Sequence, residues 1–396
     1  MAPEWLWLAI LFGFGSCIGS FLNVVVYRLP REKSLVHPPS SCPSCGSAIR
    51  FYDNIPLLSW LVLRGRCRKC KAAISPRYFV IELVTGLLFA GVYAAYFVWP
   101  VRQLGLEGAA SIERFVSGGW LLYISSMILL AGLLAASAID LELWVIPLSL
   151  CWFVTAAGVV VDSLAGLLLS SEVIHGHRWF PAASASTGAV AAGAGVGLLV
   201  SLALLAAGVF KRSYDLPCET AAEPVDAAAK YACQDQLPCD HRREILKEMM
   251  FLAPVVAGAL ISLLLYRRVE AVETFWVNAC KWPVASGALG GLWGYLVGCG
   301  VVWLTRILGT LVFGKEAMGL GDVHLMGAAG AVVGPFLVVL AFFAAPFFGL
   351  LWAGWQALSR RTRQIPYGPF LSLGVLTVMM LHDRLWVYFS GLYIGR

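Results

Sequence analysis

Charge is what this chain has least of. Of 396 residues only 13% are Asp, Glu, Lys or Arg, against 59% hydrophobic, and the mean hydropathy is +0.78. A soluble domain carries about 25% charged and 45–50% apolar residues. That balance excludes a soluble globular protein and predicts a polytopic membrane protein in contact with the lipid bilayer. The 15 Trp and 13 Tyr suit interfacial belts. No basic nucleic-acid module is present. No HExxH and no GxSxG occurs, so a zincin helix and a serine nucleophile elbow are both excluded. The opening Met1-Ala2-Pro3-Glu4-Trp5 lacks a basic n-region. The first apolar run is therefore expected to stay as a helix rather than be cleaved.

What is there is a series of apolar runs, each long enough to cross about 30 Å of hydrocarbon. They fall at about 5–27, 79–99, 119–139, 146–169, 186–209, 251–266 and 284–312. The stretch 325–358 is too long for one crossing, contains Pro335 and Pro346, and reads as a two-helix hairpin; a last run lies at 368–389. The expectation is an all-α protein of about ten transmembrane helices. The loop Arg28–Arg77 holds ten Lys/Arg against Glu32 and Asp53. By the positive-inside rule it is cytoplasmic. So is the charged segment 210–249, and so is Arg360-Arg361-Thr362-Arg363. The short run 251–266 is the weak point, because Arg267-Arg268 then fall outside.

Glycines are abundant, 40 in all. Gly193, Gly195 and Gly197 mimic a phosphate loop but lie inside an apolar run with no strand before them. Gly287, Gly290, Gly291, Gly294 and Gly298 make overlapping small-xxx-small pairs. Close helix packing accounts for both sets.

Two patterns carry chemistry. The first cytoplasmic loop holds Cys42-Pro43-Ser44-Cys45 and Cys67-Arg68-Lys69-Cys70, two CxxC pairs 21 residues apart. That is the spacing of a tetrathiolate zinc site. Cytosolic thiols stay reduced, which favours metal over the alternative of two redox disulfides. Four cysteine ligands leave no open position, so Zn2+ there is structural. Cys17, Cys151, Cys280 and Cys299 read as small core residues. Cys218, Cys233 and Cys239 form at most a second metal site.

The second pattern is a pair of carboxylates. Asp140 ends a span, and Asp322 follows Gly319-Leu320-Gly321 in the stretch Glu316–Asp322. An ionisable group at membrane depth marks function by default. Four crossings separate the two, so both fall at the same, cytoplasmic, face despite 182 intervening residues. Two carboxylates at one face can share a proton, one acting as base on a water while the other donates. Taken singly, Asp140 is equally an ordinary helix-end charge and Asp322 a cap of the next helix. Glu142 reads as a solvated neighbour of Asp140. Gly319 and Gly321 leave room for substrate backbone beside the pair.

Several stretches together resemble one family. These are Gly19-Ser20-Phe21-Leu22-Asn23 through Arg28-Leu29-Pro30, Asn54-Ile55-Pro56-Leu57-Leu58-Ser59-Trp60 between the CxxC pairs, Ile139-Asp140-Leu141-Glu142, Met318-Gly319-Leu320-Gly321-Asp322, and Ile365-Pro366-Tyr367-Gly368-Pro369-Phe370. The chain resembles the prepilin peptidases, type IV prepilin leader peptidase/N-methyltransferases among the GxGD intramembrane aspartic proteases. The resemblance implies cleavage of the basic leader of type IV prepilin or pseudopilin precursors, after a glycine, at the cytoplasmic face of the bacterial inner membrane. Asp140 and Asp322 would be the dyad. It also implies N-methylation of the new N-terminus with S-adenosylmethionine. Residues 1–100 would form the N-terminal part, with the zinc-binding, methylation-linked loop at 28–78. Residues 119–396 would form the peptidase part, with an insertion at about 210–283. This chain has Pro147-Leu148 where the family has Asp or Asn after the proline. The alternatives are a peptidase without methylation and a non-catalytic transporter or scaffold. A transporter calls for internal repeats and charges inside several spans; neither is seen.

Overall fold

In lipid a backbone must satisfy its own hydrogen bonds, so helices are the expected solution. The computed structural model describes residues 3–106, 108, 110–169, 180–210, 241–359 and 366–394, and among these it is helical with no β-strand. Cys218, Cys233, Cys239 and the run Arg360–Arg363 lie outside the described residues.

The main helices are α1 (Glu4–Arg28), α2 (Pro76–Tyr93), α3 (Trp120–Leu143), α4 (Leu148–Leu168), α5 (Ala185–Ala206), α6 (His241–Arg268), α7 (Glu270–Lys281), α8 (Pro283–Phe313), α9 (Leu320–Val333), α10 (Pro335–Ser359), α11 (Gly368–Met380) and α12 (His382–Ile394). Among the described residues eight helices are long and apolar enough to cross a membrane: α1 to α6, α8 and α10, some of them extended by adjoining turns. The pair α11–α12, bent by 72°, makes a ninth. Ten is reached only by adding α9, which has 14 residues.

The boundaries have local causes. The hairpin expected in 325–358 breaks at Gly334, whose φ of 88° only glycine adopts without strain, followed by Pro335 as the first residue of α10. The helix continues through Pro346. The run 251–266 belongs to a 28-residue helix that starts in polar sequence at His241 and passes through Pro254.

Glycines set the packing. A Cβ on Gly294 would run into the Gly330 carbonyl and one on Gly298 into the Met326 carbonyl, so α8 and α9 touch backbone to backbone. Gly193 meets Gly258, and Gly197 meets Pro254, which joins α5 to α6 in the same way. Gly193, Gly195 and Gly197 all lie within α5. A smaller apolar cluster, Leu22 and Val26 of α1, Ile81 of α2, and Ala135 and Ile139 of α3, presses the N-terminal helices against the end of α3.

Candidate active site and metal centre

Asp140 sits in the last turn of α3, which ends at Leu143; Trp144 then turns left-handed, its N–H returning to the Asp140 carbonyl at 2.9 Å. Asp322 lies in the first turn of α9, just after Gly319 in extended conformation. Both are buried, 5% and 8% exposed.

The structure brings them together around one side chain, Ile146. Its Cβ lies where a side chain on Gly321 would go, 2.8 Å from an ideal Cβ. Its Cδ1 lies 3.3 Å from an ideal Cβ on Gly368. Gly368 donates its N–H to Asp140 Oδ2 at 3.1 Å. The ends of α3, α9 and α11 thus converge. Ser137 and Ser372 fix α3 to α11 one turn deeper, with hydroxyl oxygens 2.9 Å apart. The two glycines differ. Gly321 makes room for Ile146, whereas the open side of Gly319 faces the Asp322 carboxylate, 3.5 Å from an ideal Cβ, and the Gly321 backbone N at 3.9 Å.

Three contacts were not foreseen. Gly368 was visible only as part of a motif. Glu142 is paired with Arg77 at the start of α2 rather than simply solvated. Arg306 of α8 is 1% exposed and bonds Glu248, Glu316 and the Met318 carbonyl. Arg306 inside a predicted span was the available signal, since a cation at membrane depth demands partners.

The four cysteines of the first loop form the second centre. Their sulfurs all lie within 4.8 Å of one another. The Cys42 and Cys70 sulfurs are 3.7 Å apart, and a tetrahedron with metal–sulfur bonds of about 2.3 Å has edges of about 3.8 Å. Each pair is a tight knuckle. Gly46 N–H bonds the Cys42 carbonyl at 2.8 Å and Lys71 N–H bonds the Cys67 carbonyl at 3.0 Å. Gly46 and Lys71, each one residue beyond its pair, both have φ above 60°. Isolated bridges Ser41–Ala48 and Arg66–Ala73 close the knuckles. Ser47, by its hydroxyl and then its backbone, draws the Cys45 thiol down to about 6, whereas burial and the other cysteines push the Cys70 thiol up to about 11. The donor set fits a structural zinc ion.

The loop is fastened to the bundle. Leu57 N–H donates to Glu82 of α2 at 2.8 Å, and Trp60 stacks near Phe79 at 5.1 Å.

Two family descriptions match the chain. "Bacterial Peptidase A24 N-terminal domain" covers residues 13–96, with all four cysteines. "Type IV leader peptidase family" covers 239–354, with Asp322. The "Prepilin leader peptidase/N-methyltransferase" of Klebsiella pneumoniae is 37% identical over 183 residues, covering 41% of this chain and 71% of that protein. The chain belongs to the type IV prepilin leader peptidase family.

Other members of the family extend the likeness. The protein of that name in Myxococcus xanthus is 42% identical over 166 residues, 42% of this chain and 41% of that protein. The "Type 4 prepilin-like proteins leader peptide-processing enzyme" of Escherichia coli is 37% identical over 194 residues, 42% of this chain and 64% of that one. The matches thus span less than two thirds of these two relatives. No solved structure matches the chain. This is therefore a multi-pass membrane protein of the prepilin peptidase family, with bacterial relatives and a four-cysteine cluster able to hold a metal.

Proposed function

We propose that the chain cleaves the basic leader of type IV prepilin-like precursors after a glycine, at the cytoplasmic face of the bacterial inner membrane. Asp140 and Asp322 act as the dyad. The observation that carries this reading is their meeting around Ile146 and Gly368, although 182 residues separate them. In the resting pair one carboxyl keeps a proton and the other is ionised, because like charges at one site cannot both ionise. The ionised member takes a proton from a water, which attacks the scissile carbonyl. The protonated member donates to the carbonyl oxygen, and the proton held by the first then goes to the leaving amine. The Gly368 N–H bond holds Asp140 in orientation. The bare backbone of Gly319 lets extended substrate lie against Asp322.

The four cysteines Cys42, Cys45, Cys67 and Cys70 hold zinc and fold the loop 28–78; closed coordination gives it no part in bond cleavage. Residues 1–100 form one part and 119–396 the peptidase part, with the segment at about 210–283 as an addition. We extend the reading to N-methylation of the new N-terminus, on the N-methyltransferase names of the relatives. S-adenosylmethionine is the donor the family resemblance implies. No residue of this chain is assigned to it.

The test is cleavage of a pilin-like precursor in membranes carrying wild type, Asp140→Asn or Asp322→Asn. Asn keeps the shape but cannot share the proton. Each variant is expected to lose at least about 10³-fold in rate, in the range seen for groups that act as a unit. Wild-type cleavage by either variant removes the dyad.

A further inference from the structure

Arg306 is the largest side chain among those fully buried in the described residues. A guanidinium taken out of water must be paired and hydrogen-bonded. Its Nε donates to Glu248 Oε1 at 2.9 Å and its Nη1 to Glu316 Oε1 at 2.5 Å. Nη1 also donates to the Met318 carbonyl. The second Glu248 oxygen accepts from the Trp303 indole N–H at 2.9 Å. One cation thus joins α8, α6 and the loop 314–319.

That loop carries the start of α9. It is also tied to α8 by the Ala317 N–H, which donates to Thr310 Oγ1 at 3.3 Å. An ideal Cβ on Gly309 would lie 2.6 Å from Ala317 Cβ, so the loop rests directly on the α8 backbone. Met318, whose carbonyl Arg306 holds, immediately precedes Gly319, the cap residue of α9. Asp322 is in the first turn beyond it.

We infer that Arg306 is a positioning residue for Asp322: its guanidinium clamps Glu316 and the Met318 carbonyl, fixes where α9 begins, and through Glu248 ties that register to α6. The inference rests on the reading of Asp322 as a dyad carboxylate. The clamp needs a planar fork bonding in separate directions, which a lysine ammonium does not reproduce.

The test uses the full chain with Arg306→Gln, Arg306→Lys and the milder Glu316→Gln, whose side chain is 40% exposed. Precursor cleavage and hydrogen exchange of the 314–320 peptide are measured on each. Arg306→Gln is expected to lower kcat tenfold or more while KM stays within about threefold, the split of an interaction that matters in the transition state. Arg306→Lys recovers part of the loss. Adding Glu316→Gln to Arg306→Gln brings no further loss, since the two share one network. Deuterium uptake rises at 314–320 in all three single variants and stays at the wild-type level in α10 and α11. Wild-type kcat and uptake in Arg306→Gln and Glu316→Gln would overturn the inference. So would uptake rising in every helix, because Arg306 would then hold the bundle rather than the loop. Cleavage by Asp322→Asn at the wild-type rate would sink the dyad reading instead, while uptake at 314–320 still reports the clamp.

Discussion

Gly368 shows how much can rest on a missing side chain. A Cβ there would lie 2.5 Å from Asp140 Oδ2, closer than atoms in contact allow, so the carboxylate would have to turn away. Gly368→Ala is expected to lower the cleavage rate at least about tenfold, as small misplacements of catalytic groups do, with the protein still extracted and folded. Wild-type rates in that variant would mean that the carboxylate has room to move. Arg77 and Glu142 form an ion pair close to Asp140 in the chain. Glu142 is two residues from Asp140 and tied to the first turn of α2. Such a half-exposed pair contributes about 0.2–1 kcal/mol. Glu142→Gln is therefore expected to leave thermal stability in detergent nearly unchanged.

Among elements, the knuckle loop is the one whose fold depends on something other than packing. It has no buried helix of its own; the five-residue helix Leu58–Val62 buries no residue. On the zinc reading proposed above, metal is its core. A chelator strong enough to strip zinc is expected to increase protease nicking within 28–78 while the α8–α9 pair stays intact, and Cys67→Ser to do the same without chelator. Acid acts in the same direction, because thiols must lose their protons to bind metal and acid returns them. Asp53 titrates elsewhere on the scale. The Arg68 guanidinium, donating to it at 2.6–2.9 Å, holds its carboxyl below the usual range. A lowered carboxyl pKa means the pair is present at neutral pH and is lost only as pH falls through that lowered value. On acid titration zinc release is expected first and breakage of the Asp53–Arg68 pair after it, read by metal-sensitive dye and by proteolysis.

Over the whole molecule, what the sequence disclosed was whatever is rare in an apolar chain. Two CxxC pairs and two membrane-depth aspartates stand out because little else there is polar. Charge in the loops separated the runs well enough to predict four crossings between Asp140 and Asp322, and among the described residues four helices long enough to cross, α4, α5, α6 and α8, lie between them. What stayed hidden were pairings across the fold. Nothing local joins Arg306 to Glu248, 58 residues away, or Arg77 to Glu142. Helix length was hidden for another reason: the polar first turns of α6 lower its hydropathy without ending it, since Arg306 and Trp303 receive Glu248. Topology remains open to a direct measurement. A cysteine placed beside Arg267 is expected to react with an impermeant thiol reagent from outside the cell; protection there would remove one crossing and with it the common face of the aspartates.

The two helices that begin beside the aspartates are both short. At 14 and 13 residues, α9 and α11 rise about 21 and 20 Å, against about 30 Å of hydrocarbon. Neither lies against lipid along that length: α9 is exposed only at Leu320 and α11 only at Leu373. The proposed dyad is thus walled off from the acyl chains by the rest of the bundle. A substrate segment must leave the lipid and unwind to reach it. Cleavage is accordingly expected to run at the same rate in vesicles of shorter-chain and longer-chain lipid, at equal reconstituted protein. A rate that rises as the bilayer thins would mean that the short helices do face the lipid.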